Sequence, residues 1–305
     1  MRITLLGTGA LACLFGARLA PMAAVTLVGT WAEGLAALES RGIRLEESGA
    51  VTTVRVGAAP LSRPPEPADL VLVLVKAWQT ASVATHLPRL LKPSSLPPSQ
   101  WGQGEAAAVT LQNGLGNREA LGPPTCQGVT TLGATLLGPG HVRLGGEGPT
   151  HIAGPEWIAQ TLGQAGIEAH AVDSSQMDSL VWGKLAVNCG INALTALLRV
   201  RNGELLERPE AARQMEQAAA ECAAVALAKG IRLPYADPAA YVRDVARRTA
   251  LNRSSMLQDV LRGAPTEIDA INGAVVRAGQ RLGVPTPVNE ELCHALHAWS
   301  RRNPE

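Results

Sequence analysis

The chain has 305 residues, 46% of them apolar and 17% charged, enough to bury two hydrophobic cores. This composition excludes fibrous, low-complexity and wholly disordered proteins. A net charge of +1, with six Trp, two Tyr and one Phe, supplies neither the field nor the stacking platform that a nucleic acid or an anionic membrane requires, so a small or neutral partner is expected. No apolar stretch reads as the roughly 18 residues needed to cross a bilayer, and the chain opens on a strand pattern rather than a leader, as expected of a cytoplasmic protein. Cys13, Cys126, Cys189, Cys222 and Cys293 lie scattered without a CxxC pair and read as small core residues. His294 and His297 have no third ligand in view, and no metal site is expected.

The first third alternates short β-branched runs with helical patterns: a strand over Arg2 to Leu6, a helix from Ala10, a strand over Ala24 to Val28 and a helix from Ala32. Asp69 to Val75, unbroken in apolar residues from Leu70 on, reads as a central parallel strand buried on both faces, and Ala106 to Leu111 reads the same way. Pro60 to Pro67, and Pro93 to Pro98 running on through Gly102 and Gly104, are predicted surface loops. After about Asp173 the texture turns to Ala/Leu-rich stretches of period near 3.6, over Met177 to Leu198, Pro209 to Lys229, Pro238 to Asn252, Thr266 to Leu282 and Asn289 to Ser300. The expectation is an α/β protein: a doubly wound Rossmann domain over residues 1–173, an all-α domain over 174–305, and an active-site cleft between them.

Directly after the first strand stands Gly7-Thr8-Gly9-Ala10-Leu11-Ala12, the GxGxxG/A pattern whose small residues let backbone N–H groups approach a pyrophosphate at a helix N-terminus. Its place between a strand and a helix makes it a dinucleotide fingerprint rather than a plain turn. The second strand ends Val28-Gly29-Thr30, with neither an acid for a ribose 2′-OH nor an Arg for a 2′-phosphate, which leaves NAD and NADP both open. Lys76 and Asn113 each follow a buried strand at its carboxyl end, where open α/β sheets bind ligands. In the apolar helix MDSLVWGKLAVNCGINALTALL, Lys184, Asn188 and Asn192 recur at i, i+4 and i+8, so one face carries an ammonium and two amides. Such groups are costly to bury unless they meet a polar ligand. Ser254 or Ser255 reads as a helix N-cap, and Glu267 as a residue of the first turn of the helix after Pro265.

Taken in order, GTGALA, LVKAWQT around Lys76, QNGLGN around Asn113, WGKLAVNCGINALTA around Lys184, NGEL from Asn202, SSMLQDV from Ser254 and TEIDAINGAVV around Glu267 resemble the 2-dehydropantoate 2-reductase (ketopantoate reductase) family nearly end to end. The resemblance implies a Rossmann domain joined to a helical domain like that of 6-phosphogluconate dehydrogenase. It implies NADPH-dependent reduction of ketopantoate to pantoate, on the route to pantothenate and coenzyme A. Residue by residue, it places Lys184 as proton donor, with Asn188, Asn192, Asn202 and Asn252 to Ser255 at the substrate. Gly7 to Ala12, Lys76, Asn113, Ala134 and Glu267 fall at the cofactor, Asn113 and Glu267 close to the reacting centre. Thr30 stands where many members carry an Arg for the 2′-phosphate, and Pro93 to Gly104 looks like an insertion. Two other readings remain: a reductase of another branched 2-oxo acid, and a catalytically silent NADP-binding regulatory protein. A homodimer through apolar helix faces is compatible with the pattern.

Overall fold

The computed structural model describes residues 1–93 and 106–302. Apart from Pro93, the loop expected from Pro93 to Gly104 lies outside them. The chain divides into two compact units, one formed by 1–112 with 117–177, the other by 113–116 with 178–305.

In chain order the first unit contains β1 (Arg2–Leu6), α1 (Ala10–Leu19), β2 (Ala24–Gly29), α2 (Ala32–Arg41), β3 (Ile43–Glu47), β4 (Ala50–Val54), β5 (Gly57–Pro60) and β6 (Leu70–Val73). There follow α3 (Thr80–Ala84), α4 (Leu87–Leu90), β7 (Ala107–Thr110), α5 (Asn117–Leu121), β8 (Thr125–Thr130), β9 (Gly133–Gly138), β10 (His141–Gly146), β11 (Thr150–Ala153), α6 (Glu156–Gln164) and β12 (Ala169–Ala171). Eight strands form one sheet in the order β12-β11-β8-β7-β6-β1-β2-β5. From β5 to β8 every neighbouring pair is parallel, and β11 joins β8 antiparallel. This is the doubly wound order in which the chain reverses direction beside β1.

The central strands are buried on both faces because their side chains alternate between two cores. Ile3, Leu5, Leu70, Leu72 and Val109 join one cluster, while Leu6, Val71, Val73 and Ala108 join the other. A second sheet, β4-β3-β10-β9, packs against α1 and was not foreseen from the sequence. Its strands are five or six residues long and mostly exposed or half-exposed, so they lack the continuous apolar run that announced β6.

The second unit is helical: α7 (Ser174–Leu198), α8 (Pro209–Ala228), α9 (Pro238–Arg248), α10 (Ser255–Leu261), α11 (Asn272–Leu282) and α12 (Pro287–Arg302). Helix α7 is its axis, with Leu185, Ala186, Cys189, Ala193 and Ala196 buried among Met215, Cys222, Val275 and Leu296. By length and composition α7 would suffice to cross a membrane, which corrects the expectation that no apolar stretch reaches that length. Its apolar window is 67% buried inside the fold, as in the core helix of a packed bundle. All five cysteines are free and buried.

Two helix boundaries differ from the periodicity by four residues or more. The helix expected to reach Asn252 ends at Arg248, because Asn202 N–H and Gly203 N–H take the carbonyls of Asn252 and Ala250, and Asn202 Nδ2 donates to Thr249 Oγ1. The helix expected from Thr266 starts at Asn272. Residues 266–271 instead form a turn that buries Ile268 and Ile271, with Ala270 N–H and Ile271 N–H both donating to Glu267 O. Glu267 therefore sits on a turn ahead of the helix, not in its first turn.

Candidate active site

In the first unit, the GxGxxA turn is shaped by β6. Gly7 has φ +133°, and a Cβ there would lie 3.0 Å from the carbonyl carbon and oxygen of Leu74, so only glycine passes the strand end at that distance. Gly7 N–H donates to Val28 O at 2.8 Å, tying the turn to β2. Gly9 is the N-cap of α1 and offers no side-chain cap, and the first turn of that helix holds no acid. Since the first intrahelical bond is Cys13 N–H to Gly9 O, the N–H groups ahead of it have no partner within the helix. A Cβ on Gly9 would meet nothing within 4 Å, so there is open space at the N-cap of this helix. An uncapped, acid-free helix start facing open space fits a diphosphate.

Lys76 lies three residues past β6, immediately before a short turn of helix over Ala77–Gln79, and its N–H donates to Gln79 Oε1. A buried polar relay holds this strand end: Gln112 Nε2 donates to Val75 O (3.0 Å) and Thr80 Oγ1 (2.8 Å), and Thr80 donates to Asn117 Oδ1 (2.9 Å). Sequence periodicity gave no hint of this relay, because each member is a lone polar residue in a different element. Ala134 lies in β9, on the smaller sheet, and Thr30 is exposed just beyond β2.

In the second unit, Lys184, Asn188 and Asn192 form the stripe that their spacing predicts on α7, the first two half-buried and Asn192 buried. Lys184 Nζ donates to Asn113 Oδ1 at 2.9 Å, and Asn113 Nδ2 donates to Glu267 Oε2 at 3.2 Å. One amide thus bridges an ammonium and a buried carboxylate. The bridge depends on a close approach: Gly114 has φ +83°, a Cβ there would fall 2.2 Å from Ala270 O, and Leu115 N–H donates to that same oxygen at 3.0 Å. The Asn113 segment therefore lies flat on the turn that carries Glu267. Desolvation pulls the Lys184 pKa down from 10.5 to about 8, and the Glu267 charge opposes that fall. The amides of Asn188 and Asn192 make no side-chain hydrogen bond among the described residues, which leaves them available to a ligand.

The remaining expected residues lie on other elements. Ser254 is the N-cap of α10, accepting from Leu257 N–H at 3.0 Å and from Thr195 Oγ1 of α7 at 2.7 Å. Ser255 is the first residue of α10 and half-buried. Asn202 is buried, with its amide on Thr249 and its Oδ1 without a hydrogen-bond partner among the described residues, and Asn252 is exposed. Among the described residues no three His, Cys, Asp or Glu side chains group as a metal site would.

A doubly wound sheet with an open glycine turn, followed by a helical bundle in which a lysine of the axial helix is joined through the Asn113 amide to the Glu267 carboxylate, defines a dinucleotide-type Rossmann protein with a helical second unit. Residues 3–157 match the family described as Ketopantoate reductase PanE/ApbA, and residues 176–300 match its C-terminal counterpart. The chain belongs to the ketopantoate reductase family. It is 38% identical to a 2-dehydropantoate 2-reductase of Halobacterium salinarum, with 99% of each chain covered. It is also 38% identical to one of Archaeoglobus fulgidus, with 76% of each covered. Among solved structures, a PanE/ApbA family ketopantoate reductase from Ralstonia eutropha superposes with a TM-score of 0.86 at 32% identity, covering 99% of both chains. A D-mandelate dehydrogenase bound to NADH and anilino(oxo)acetate superposes with a TM-score of 0.88 at 27% identity, covering 98% of both.

Proposed function

We propose that the protein reduces 2-dehydropantoate to (R)-pantoate with a nicotinamide cofactor, NADPH for preference, in pantothenate and coenzyme A biosynthesis. The observation that carries this reading is the Lys184–Asn113–Glu267 chain, which supplies an oriented ammonium on the helix whose Asn188 and Asn192 amides make no side-chain hydrogen bond among the described residues. Family membership sets the substrate class, and the free thiols suit a reducing cytoplasm.

When bound, the cofactor supplies the hydride that goes to the C2 carbonyl carbon. The backbone N–H groups of Ala10, Leu11 and Ala12, in the turn from Gly7 through Thr8 and Gly9, would hold its diphosphate, with Lys76, Asn113, Ala134 and Glu267 as further contacts. Lys184 Nζ–H polarises the C2 oxygen and gives it a proton as charge develops there. Asn113 keeps Nζ from wandering, since its Oδ1 takes one of the three ammonium protons and leaves two for substrate. Glu267 sustains the charged form of Lys184 against the cost of burial. The amides of Asn188 and Asn192, with Asn202, Asn252 and Ser255, orient the 2-oxo acid.

The deciding experiment follows absorbance loss at the reduced nicotinamide band with purified protein and ketopantoate, using NADPH and NADH in parallel. Fast turnover with a preference for NADPH supports the reading, and preference for NADH would place this chain's cofactor choice at Thr30. Lys184→Ala should lower kcat about 10³-fold with little change in cofactor affinity. An unchanged kcat would remove Lys184 from the proton transfer. A second reading, reduction of a different 2-oxo acid, is favoured by the close superposition on a D-mandelate dehydrogenase. Turnover of phenylglyoxylate but not ketopantoate would select it, and tight NADPH binding with no turnover of any 2-oxo acid would select a regulatory protein.

A further inference from the structure

Asn272 and Asn289 lie in the first turns of consecutive helices, and both are fully buried. Asn289 belongs to a capping arrangement: its Nδ2 donates to Ala218 O (3.0 Å) and Glu221 Oε2 (2.7 Å), while Glu221 accepts the N–H groups of Val288 and Asn289. A carboxylate of α8 thereby caps α12. Asn272 does something different. Its Nδ2 donates to Asn289 Oδ1 at 3.0 Å and also to Cys189 O at 3.1 Å, a carbonyl in the middle of α7.

Cys189 follows Asn188 directly and lies five residues past Lys184. Asn272 lies five residues past Glu267, at the close of the turn in which Ile271 N–H returns to Glu267 O and Gly273 N–H returns to Ile268 O. One side chain thus spans from the end of the Glu267 turn to the helix that bears Lys184. We propose that Asn272 is a positioning residue of the reaction centre: by bonding the Cys189 carbonyl it fixes the Glu267 turn in register with Lys184. The Asn113 amide, which touches both charged groups, can bridge them only while that register holds. Asn289 sits one step further out and serves the fold.

This inference rests on Lys184 as the proton donor, yet its test needs no turnover. The chain has four lysines, Lys76, Lys92, Lys184 and Lys229, so lysine labelled with ¹³C at Cε gives four NMR signals, and Lys184→Met identifies the one of interest. In the intact protein the Lys184 signal should titrate near 8, where burial and Glu267 set it. Asn272→Leu should lower that midpoint by about one unit as the carboxylate drifts from the ammonium, with the other three lysines unmoved. Asn289→Leu should lower Tm and leave the Lys184 midpoint in place. A midpoint unmoved in Asn272→Leu, or moved equally in Asn289→Leu, overturns the proposal. If Asn272→Leu does not fold, Asn272→Ser, too short to reach Cys189 O, is read by the same two criteria. Should Lys184 shift as expected while the unaltered protein reduces no 2-oxo acid, the positioning role stands and the assigned reaction falls.

Discussion

Lys184 is held at the edge of its own ionisation. Burial disfavours the ammonium, the Glu267 carboxylate favours it, and the outcome is a pKa of about 8. As a proton donor Lys184 must be charged, so reduction should be fast below this value and fall as pH rises through about 8. Glu267→Gln removes the opposing charge and should carry the alkaline limb of the kcat/KM profile to lower pH. An unmoved limb would separate Glu267 from Lys184. The same balance bears on stability. The folded pKa of Lys184 is depressed below its unfolded value of 10.5, so between about 8 and 10.5 the unfolded chain binds more protons and stability rises with pH. Lys184→Met should therefore raise Tm at pH 7, with the gain shrinking toward pH 10, while activity is lost. A lower Tm at pH 7 would mean that the ammonium repays its burial through its hydrogen bonds.

At the scale of elements, the start of α1, proposed above to hold the diphosphate, lacks a side-chain cap. Asp, Asn or Ser at an N-cap satisfies one of the orphan N–H groups, whereas Gly9 satisfies none. Gly9 has an extended backbone, φ −83° and ψ −170°, that any residue adopts, and space for a side chain. Gly9→Asp should accordingly fold with stability changed by only a few tenths of a kcal/mol, yet weaken NADPH binding by about tenfold or more, because its carboxylate occupies the anion's place and repels it. Gly7→Ala should do the opposite and destabilise the fold, since its positive φ and the nearby Leu74 carbonyl leave no relaxed position for a methyl group. Thermal melts and fluorescence titrations of both variants check the pair. Helix α7 shows the same division along its length: Gly190 admits the Met215 carbonyl, where a Cβ would lie 2.6 Å away, while at Asn188 and Asn192 its polar stripe makes no side-chain hydrogen bond among the described residues.

For the whole molecule, stability comes from separate cores. The first unit closes over two clusters on the faces of its sheet, the second over a bundle core around α7. Proteins of more than one domain depart from a single two-state transition, so calorimetry should resolve two transitions, one for each unit. NADPH at 100 times its Kd should stabilise the unit bearing the glycine turn by about 2.7 kcal/mol. A thermogram in which NADPH moves no transition would argue against binding at that turn.

The sequence by itself determined whatever depends on local pattern. Unbroken apolar runs disclosed β6 and β7 because a strand buried on both faces needs no polar alternation, and the glycine fingerprint was legible because it sits between the strand and helix it joins. The Lys184 stripe was legible because helical spacing alone puts i, i+4 and i+8 on one face. The tertiary structure alone decided what depends on distant chain segments meeting. The second sheet pairs β3 with β10, nearly a hundred residues apart, through a register that short half-exposed strands do not advertise. Glu267 left its expected helix because Ile268 and Ile271 are pulled into the core, a tertiary demand that overrides helical period. The contact of Lys184, Asn113 and Glu267, and the Asn272 bond that spans to α7, join residues 71, 154 and 83 positions apart in sequence. Hydrogen bonds need their partners within about 3 Å, and only the folded chain brings these groups that close.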